Sequence, residues 1–290
     1  MFNGSAVAIV TPFKEGKVDI KAFENLIQFQ LDNDTQGLIV LGTTGEASTL
    51  THEEREIIIR TAINIVNKKI PVIVGTGSNN TGVAIEYTRQ AESLGADGLL
   101  LVTPYYNKCT QKGLIEHYKE IAGTTSLPII VYNVPGRTGL NIQATTVAEL
   151  AKIENIIGVK EASGNIAQVL EIKRLVPENF KIFSGNDDNI LPVYACGGHG
   201  VISVMANVIP KETQAMCKSF EEGNIKEAIR LQILYKNLIN LLFMEVNPIP
   251  IKAALGAMGY IENQLRLPLT PMEDKNQQKL IKEMKKLQII

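Results

Sequence analysis

Short runs of apolar, mostly β-branched residues alternate along the chain with longer stretches of helical periodicity. The runs are Ala6–Val10, Leu38–Leu41, Pro71–Val74, Gly98–Val102, Ile129–Tyr132, Ile157–Lys160, Ile182–Ser184 and Val201–Val204, and they start about 20 to 33 residues apart. Each is continuously apolar rather than alternating, as a parallel strand covered on both faces should be. Between them lie amphipathic stretches such as Ile20–Leu31, Glu53–Val66, Thr81–Leu94 and Thr145–Lys152. Thr51, with an acidic residue three positions on at Glu54, predicts a helix start, and Gly95 after Leu94 predicts a helix end. Eight such units predict a (β/α)8 TIM barrel, with an open eight-stranded sheet as the alternative. Beyond Val204 no further strand is evident, only helical stretches such as Ala228–Phe243 and Gln277–Leu287. The expected organisation is a catalytic barrel over residues 1–225 and a small C-terminal helical domain over 226–290.

Composition narrows the function more than the fold. The chain has 290 residues, 29 basic and 30 acidic, for a net charge of −1. That balance offers no electrostatic basis for binding nucleic acid or an anionic membrane. No apolar stretch approaches the roughly 20 residues that span a bilayer, and the N-terminus carries no export leader, so a cytoplasmic location is expected. Three cysteines, Cys109, Cys196 and Cys217, are widely spaced and fit reduced thiols rather than a disulfide framework. His52, His117 and His199 lack metal-ligand spacing, and no metal site is expected.

In a barrel of this kind the reacting groups sit at the C-terminal ends of the strands. The sixth run ends in Lys160. Burial disfavours an ammonium and lowers its pKa, and the neutral amine is the nucleophile that condenses with a carbonyl to give an imine. An ordinary lysine, with a pKa of about 10.4, is neutral in only roughly one molecule in 10³ at pH 7. Taken alone, Lys160 reads more readily as a strand-capping residue paired with Glu161 or another carboxylate. The neighbouring strand ends change the picture. The second run leads into Gly42-Thr43-Thr44-Gly45-Glu46, a tight turn suited to an anion. The fourth leads into Thr103-Pro104-Tyr105-Tyr106-Asn107, and the fifth into Tyr132-Asn133-Val134-Pro135-Gly136-Arg137. A phenol beside the lysine can shuttle protons during imine formation. The turn can hold the carboxylate of a 2-keto acid, and Arg137 a second carboxylate bidentately. The set describes an aldol-type enzyme for two small anionic substrates, with the imine itself as electron sink.

Gly42-Thr43-Thr44-Gly45-Glu46, Tyr132-Asn133-Val134-Pro135 and Val159-Lys160-Glu161-Ala162-Ser163-Gly164 resemble the shared motifs of the pyruvate-dependent class I aldolases, the family of dihydrodipicolinate synthase and N-acetylneuraminate lyase. The resemblance spans roughly residues 1–225. Thr103–Asn107 and Arg137 look like the synthase branch in particular. The resemblance implies condensation of pyruvate with L-aspartate 4-semialdehyde, the first committed step of diaminopimelate and lysine biosynthesis, with a covalent imine on Lys160 and no cofactor. It implies Tyr132 as central acid and base, linked through Thr43 to a Tyr106 supplied by the neighbouring subunit. Thr43 and Thr44 would bind the pyruvate carboxylate, Arg137 the semialdehyde carboxylate, and Gly185 and Ile202 would line the pyruvate pocket. The implied assembly is a homotetramer, a dimer of dimers.

The chain departs from the lysine-inhibited members of that family. Ser48, His52, Asn79 and Tyr105 fit their lysine-binding cleft, but Ala47, Arg55 and Val83 stand where the resemblance leads one to expect serine, histidine and glutamate. Weak or absent lysine feedback is therefore expected. Two other readings remain open from sequence: a sibling aldolase acting on N-acetylneuraminate or a 2-keto-3-deoxy sugar acid, and a non-catalytic barrel that binds a keto acid. The Asn247–Lys252 segment, Asn-Pro-Ile-Pro-Ile-Lys, resembles a family motif to which sequence assigns no chemical role.

Overall fold

The computed structural model describes all 290 residues. Strand β1 (Gly4–Ala8) is followed by a hairpin of β2 (Phe13–Lys14) and β3 (Lys17–Val18), then by β4 (Gly37–Val40), β5 (Val72–Gly75), β6 (Gly98–Val102), β7 (Ile129–Asn133), β8 (Ile156–Glu161), β9 (Lys181–Ser184) and β10 (Gly200–Ser203). All but the hairpin strands pair in parallel with their chain neighbours, and β10 closes on β1 through Gly4–Gly200 to Val7–Ser203. The result is the eight-stranded closed barrel that the sequence predicts, and the open sheet is excluded. A helix follows each barrel step, from Ile20–Leu31 to Pro210–Glu221. Thr51 and Glu54 form the reciprocal capping box at the start of His52–Val66, and Gly95 takes a left-handed φ of +91° just past Thr81–Ser93.

The continuous apolar runs conceal a strand alternation that decides where the chemistry falls. One set of side chains fills the barrel: Ala6, Ala8, Ile39, Ile73, Leu100, Ile130, Tyr132, Phe183 and Ile202. The intervening set, including Val7, Leu38, Val40, Val131, Val159, Ile182 and Val201, packs outward under the helices. Tyr132 and Lys160 are register partners on β7 and β8, as are Asn133 and Glu161. The first pair turns inward and the second outward.

The C-terminal residues form helices Ile225–Leu242, Ile249–Ala257 and Asp274–Lys286. Their buried side chains, Leu238, Leu255 and Leu280 among them, join the same apolar cluster as the barrel's outer layer.

Several bounds move by one to three residues, and among the strands two departures from expectation stand out. The first strand is Gly4–Ala8 rather than Ala6–Val10. Ile9 and Val10 stay buried beyond the strand end: the Ile9 N–H still donates to the Ile39 carbonyl at 3.1 Å, and the Val10 N–H turns to the Asn207 side chain at 3.2 Å. The hairpin Phe13–Val18 is absent from the sequence reading. Its strands are two residues each, too short for any period, and only Glu15 (φ 51°) and Gly16 (φ 76°) mark its turn.

Candidate active site

Lys160 sits near the C-terminal end of β8, facing the barrel interior and only 5% exposed. Its Nζ lies 4.3 Å from the centre of the Tyr132 ring, and it forms no ion pair. Glu161, its neighbour in sequence, is on the other face of the strand. There it accepts hydrogen bonds from the Asn133 side chain (2.8 Å), the Ser163 N–H (2.7 Å) and the Gln168 side chain (3.0 Å). The strand-capping pair of Lys160 with Glu161 is thereby excluded.

Burial pushes the Lys160 amine down to about 7; the buried Asp187 carboxylate opposes that shift and the Arg137 guanidinium reinforces it. The Tyr132 phenol is pushed the other way, upward, by burial, with Arg137 and the Thr43 side chain drawing it back. One group is thus eased into its neutral form and the other held protonated, as nucleophile and proton donor require.

Beside Lys160 is a cavity of about 60 Å³, lined among others by Thr43, Thr44, Tyr132, Arg137, Gly185 and Asn247. Gly185 has a steric reason to be glycine. A Cβ there would come within 2.6 Å of the Ala162 Cβ and 3.1 Å of the Lys160 Cε, so a side chain would displace the lysine stem. Thr43–Gly45 forms a single 3₁₀ turn ending at Glu46, whose φ is +51°. Arg137 sits in the short helix Pro135–Thr138, exposed at the barrel mouth, and its Nη2 donates to the Asn247 carbonyl at 2.9 Å. A second cavity of about 400 Å³ lies in front, bordered by Thr43, Tyr132 and Arg137 on one side and by Ala47, Ser48, Arg55, Val83 and Tyr105 on the other. His52 and Asn79 do not line it.

Six of the eight expected site residues, Lys160, Tyr132, Thr43, Thr44, Arg137 and Gly185, surround the smaller cavity. Ile202 is fully buried in the barrel interior but does not line that cavity. Tyr106 is not brought to Lys160 within this chain: it is 93% exposed and carries a φ of +70°. Two residues that sequence reasoning missed act on the site, Asp187 through its charge on Lys160 and Asn247 by lining the smaller cavity. Asp187 is buried at the head of the β9 loop, where its Oδ2 accepts the N–H groups of Val204 (3.2 Å) and Met205 (2.8 Å). Its position in the Ser184–Asp187 strand end was the available signal. Asn247 arrives from the C-terminal helices, and only the motif around it pointed there.

A closed parallel barrel with a buried, unpaired lysine at one strand mouth and polar groups gathered from neighbouring strand ends has the architecture of a barrel lyase. Residues 1–287 match the Dihydrodipicolinate synthetase family. The chain is 70% identical to the 4-hydroxy-tetrahydrodipicolinate synthase of Alkaliphilus oremlandii over the full length of both proteins. It superposes on the dihydrodipicolinate synthase of Thermotoga maritima with a TM-score of 0.99, at 46% identity and full coverage of both chains. The chloride-inhibited synthase from Acinetobacter baumannii, solved in complex with pyruvate, matches with a TM-score of 0.98 at 44% identity, again over the whole of both chains. The chain belongs to the dihydrodipicolinate synthetase family, and it is an enzyme of the lyase class.

Proposed function

We propose that this chain catalyses the Schiff-base condensation of pyruvate with L-aspartate 4-semialdehyde, giving 4-hydroxy-tetrahydrodipicolinate as the first committed step of diaminopimelate and lysine biosynthesis in the cytoplasm. The observation that carries the reading is Lys160: a buried amine held near neutrality, without a carboxylate partner, beside a small cavity. The pyruvate bound in the Acinetobacter baumannii relative supports the same ligand class.

Lys160 adds to the keto carbon of pyruvate and expels water, forming the imine. Loss of a methyl proton gives the enamine, whose carbon 3 attacks the semialdehyde aldehyde. The amine of the semialdehyde then attacks the former keto carbon, closes the ring and displaces Lys160, so one water leaves overall. Tyr132 donates and accepts the protons. Thr43 links Tyr132 to Tyr106 of a neighbouring subunit, and the exposed Tyr106 ring supports such a crossing. Thr43 and Thr44 hold the pyruvate carboxylate, and Arg137 that of the semialdehyde. Gly185 leaves room for the imine, while Ile202 stays in the barrel interior without lining the pocket. The working assembly is a homotetramer built as a dimer of dimers, and the covalent imine replaces any cofactor. In the larger cavity Arg55 and Val83 make lysine feedback weak.

Incubation with pyruvate and borohydride, followed by intact mass, tests the reading: one reduced pyruvate adduct per chain is expected, absent in Lys160→Ala. An unmodified wild-type chain would leave a keto-acid-binding barrel without covalent chemistry. Arg137→Ala should remove condensation with the semialdehyde; a chain that instead cleaves a sugar acid, and still does so as Arg137→Ala, would favour the sibling lyase.

A further inference from the structure

We propose that the Asn247–Lys252 segment positions the keto-acid site, with Asn247 fixing the direction of the Thr44 hydroxyl. The inference rests on Thr44 binding the keto-acid carboxylate and Lys160 forming the imine, as argued above. Asn247 is 5% exposed and shares the 60 Å³ cavity with Lys160 and Thr44. Its side-chain Nδ2 donates to the Thr44 Oγ1 at 2.9 Å, across 203 residues of sequence. Its carbonyl accepts the Arg137 Nη2 at 2.9 Å. One residue therefore touches both groups assigned to the two substrate carboxylates.

The direction of the first bond matters most. An amide N–H only donates, so the Thr44 oxygen is the acceptor there and its own proton is free for another partner. No other side-chain hydrogen bond within the chain uses that hydroxyl. Asn247 thus turns Thr44 into a donor aimed at an anion in the cavity. Five residues on, Lys252 holds the same loop from behind. Its Nζ donates to the Glu46 carboxylate at 2.6 Å and to the Thr11 carbonyl at 3.0 Å, with no exposure of either charged side chain beyond 1%. The other Glu46 oxygen accepts the Arg266 N–H at 3.1 Å, and the Thr11 hydroxyl donates to the Gly45 carbonyl at 2.7 Å. Thr44, Gly45 and Glu46 are each tied to a different fixed point, two of them supplied by the Asn247–Lys252 segment.

The test is a double-mutant cycle of Asn247→Ala and Thr44→Val, read as the pyruvate concentration giving half-maximal borohydride-trapped adduct, with thermal melting of each variant. Wild type is expected to form the adduct. Each single variant is expected to raise the half-saturating concentration about five- to tenfold, the range of one lost hydrogen bond, with trapping at saturation preserved. The double variant should be no worse than the poorer single one, because Asn247 acts through Thr44. Asn247→Asp has the same shape but accepts the Thr44 proton, so it should be at least as harmful as Ala. It also carries the test if Ala lowers the melt too far. Losses that multiply in the double variant, or an Asn247→Asp protein that matches wild type, overturn the inference while leaving the keto-acid reading intact. A wild-type chain that forms no adduct overturns both.

Discussion

Two lysines are buried in this chain, Lys160 at the barrel mouth and Lys252 at the seam between the Thr43–Glu46 loop and the C-terminal helices. Both lie over an aromatic ring, with Nζ 4.3 Å from Tyr132 and 4.2 Å from Phe13. Burial lowers the pKa of both. Lys252 has a carboxylate at 2.6 Å and a carbonyl at 3.0 Å, and Glu46 counters the effect of burial. Lys160 has no ion-pair partner, and its amine falls to about 7. Desolvation is common to the two, so it is the missing counter-ion, together with an adjoining cavity, that separates a nucleophile from a strut.

The sharpest way to break that contrast is to remove each amine in turn. Lys160→Met is expected to lower synthase activity by about 10⁴-fold or more, since no other group can form the imine. The same change should stabilise the fold. The folded pKa of about 7 lies below the ordinary 10.5, so the folded chain binds fewer protons than the unfolded one between those values. The penalty is absent above the unfolded value, grows as pH falls, and is complete below about 7. Denaturant melts should therefore show Lys160→Met gaining up to about 4 kcal/mol over wild type near pH 6, with the gain vanishing toward pH 10.5. A gain that did not vary with pH would mean the amine is not perturbed. Lys252→Met should behave in the opposite sense. It strands the Glu46 carboxylate and is expected to cost about 3–5 kcal/mol, much of it recovered when Glu46→Gln is added. Adduct formation at saturating pyruvate should survive in both Lys252 variants.

The contrast was only half legible in the sequence. Lys160 stood out because an apolar run ended in it and the neighbouring runs ended in hydroxyl, phenol and guanidinium groups. The barrel was legible because eight such runs recur at a spacing that fits one strand and one helix. The alternation within each run was not, since both faces of a parallel strand are apolar, yet it explains why Glu161 cannot partner its neighbour. Lys252 carried no signal of its own. Its partner is 206 residues away, and Asn247 lies 203 residues from Thr44. Contacts of that range leave no periodicity to read. The phenol of Tyr106 is a third case: its motif was visible, but the lone chain leaves it in solvent.

Arg55 extends the comparison to a buried cation that keeps its charge without a carboxylate. It stacks 3.8 Å from the Tyr87 ring, donates to the Gly75 carbonyl at 2.9 Å and borders the larger cavity beside Val83. A guanidinium there repels a cationic ligand, and valine offers it no counter-charge. Free lysine is expected to inhibit only at millimolar concentration. Arg55→His with Val83→Glu should tighten lysine binding by roughly 10- to 150-fold, the span of one charged hydrogen bond. Inhibition of the unaltered chain at micromolar lysine, measured by steady-state rates, would remove the argument.

The smallest expected effect tests what sets the Lys160 amine itself. Asp187 is the charge that holds this pKa up against burial, without reaching ion-pair distance. Burial also raises the Asp187 pKa, while the Val204 and Met205 N–H groups favour its ionised form. Asp187→Asn keeps the shape and leaves an amide oxygen to accept the same N–H groups, so the loop after β10 should hold. It removes the charge, and the Lys160 pKa should fall further. In the proposed reaction only the neutral amine attacks pyruvate. In wild type, imine formation at low pyruvate should therefore rise about tenfold per pH unit below 7 and level off above it. In Asp187→Asn the level portion should extend to lower pH, making the variant faster than wild type at pH 6 by up to roughly tenfold. A unit charge several ångströms away is worth about 1–2 kcal/mol at an effective dielectric near 20. Stopped-flow trapping across pH 5–9 measures the two midpoints. Coincident midpoints would show that Asp187 is protonated in the folded chain, leaving burial and Arg137 to set the amine unopposed.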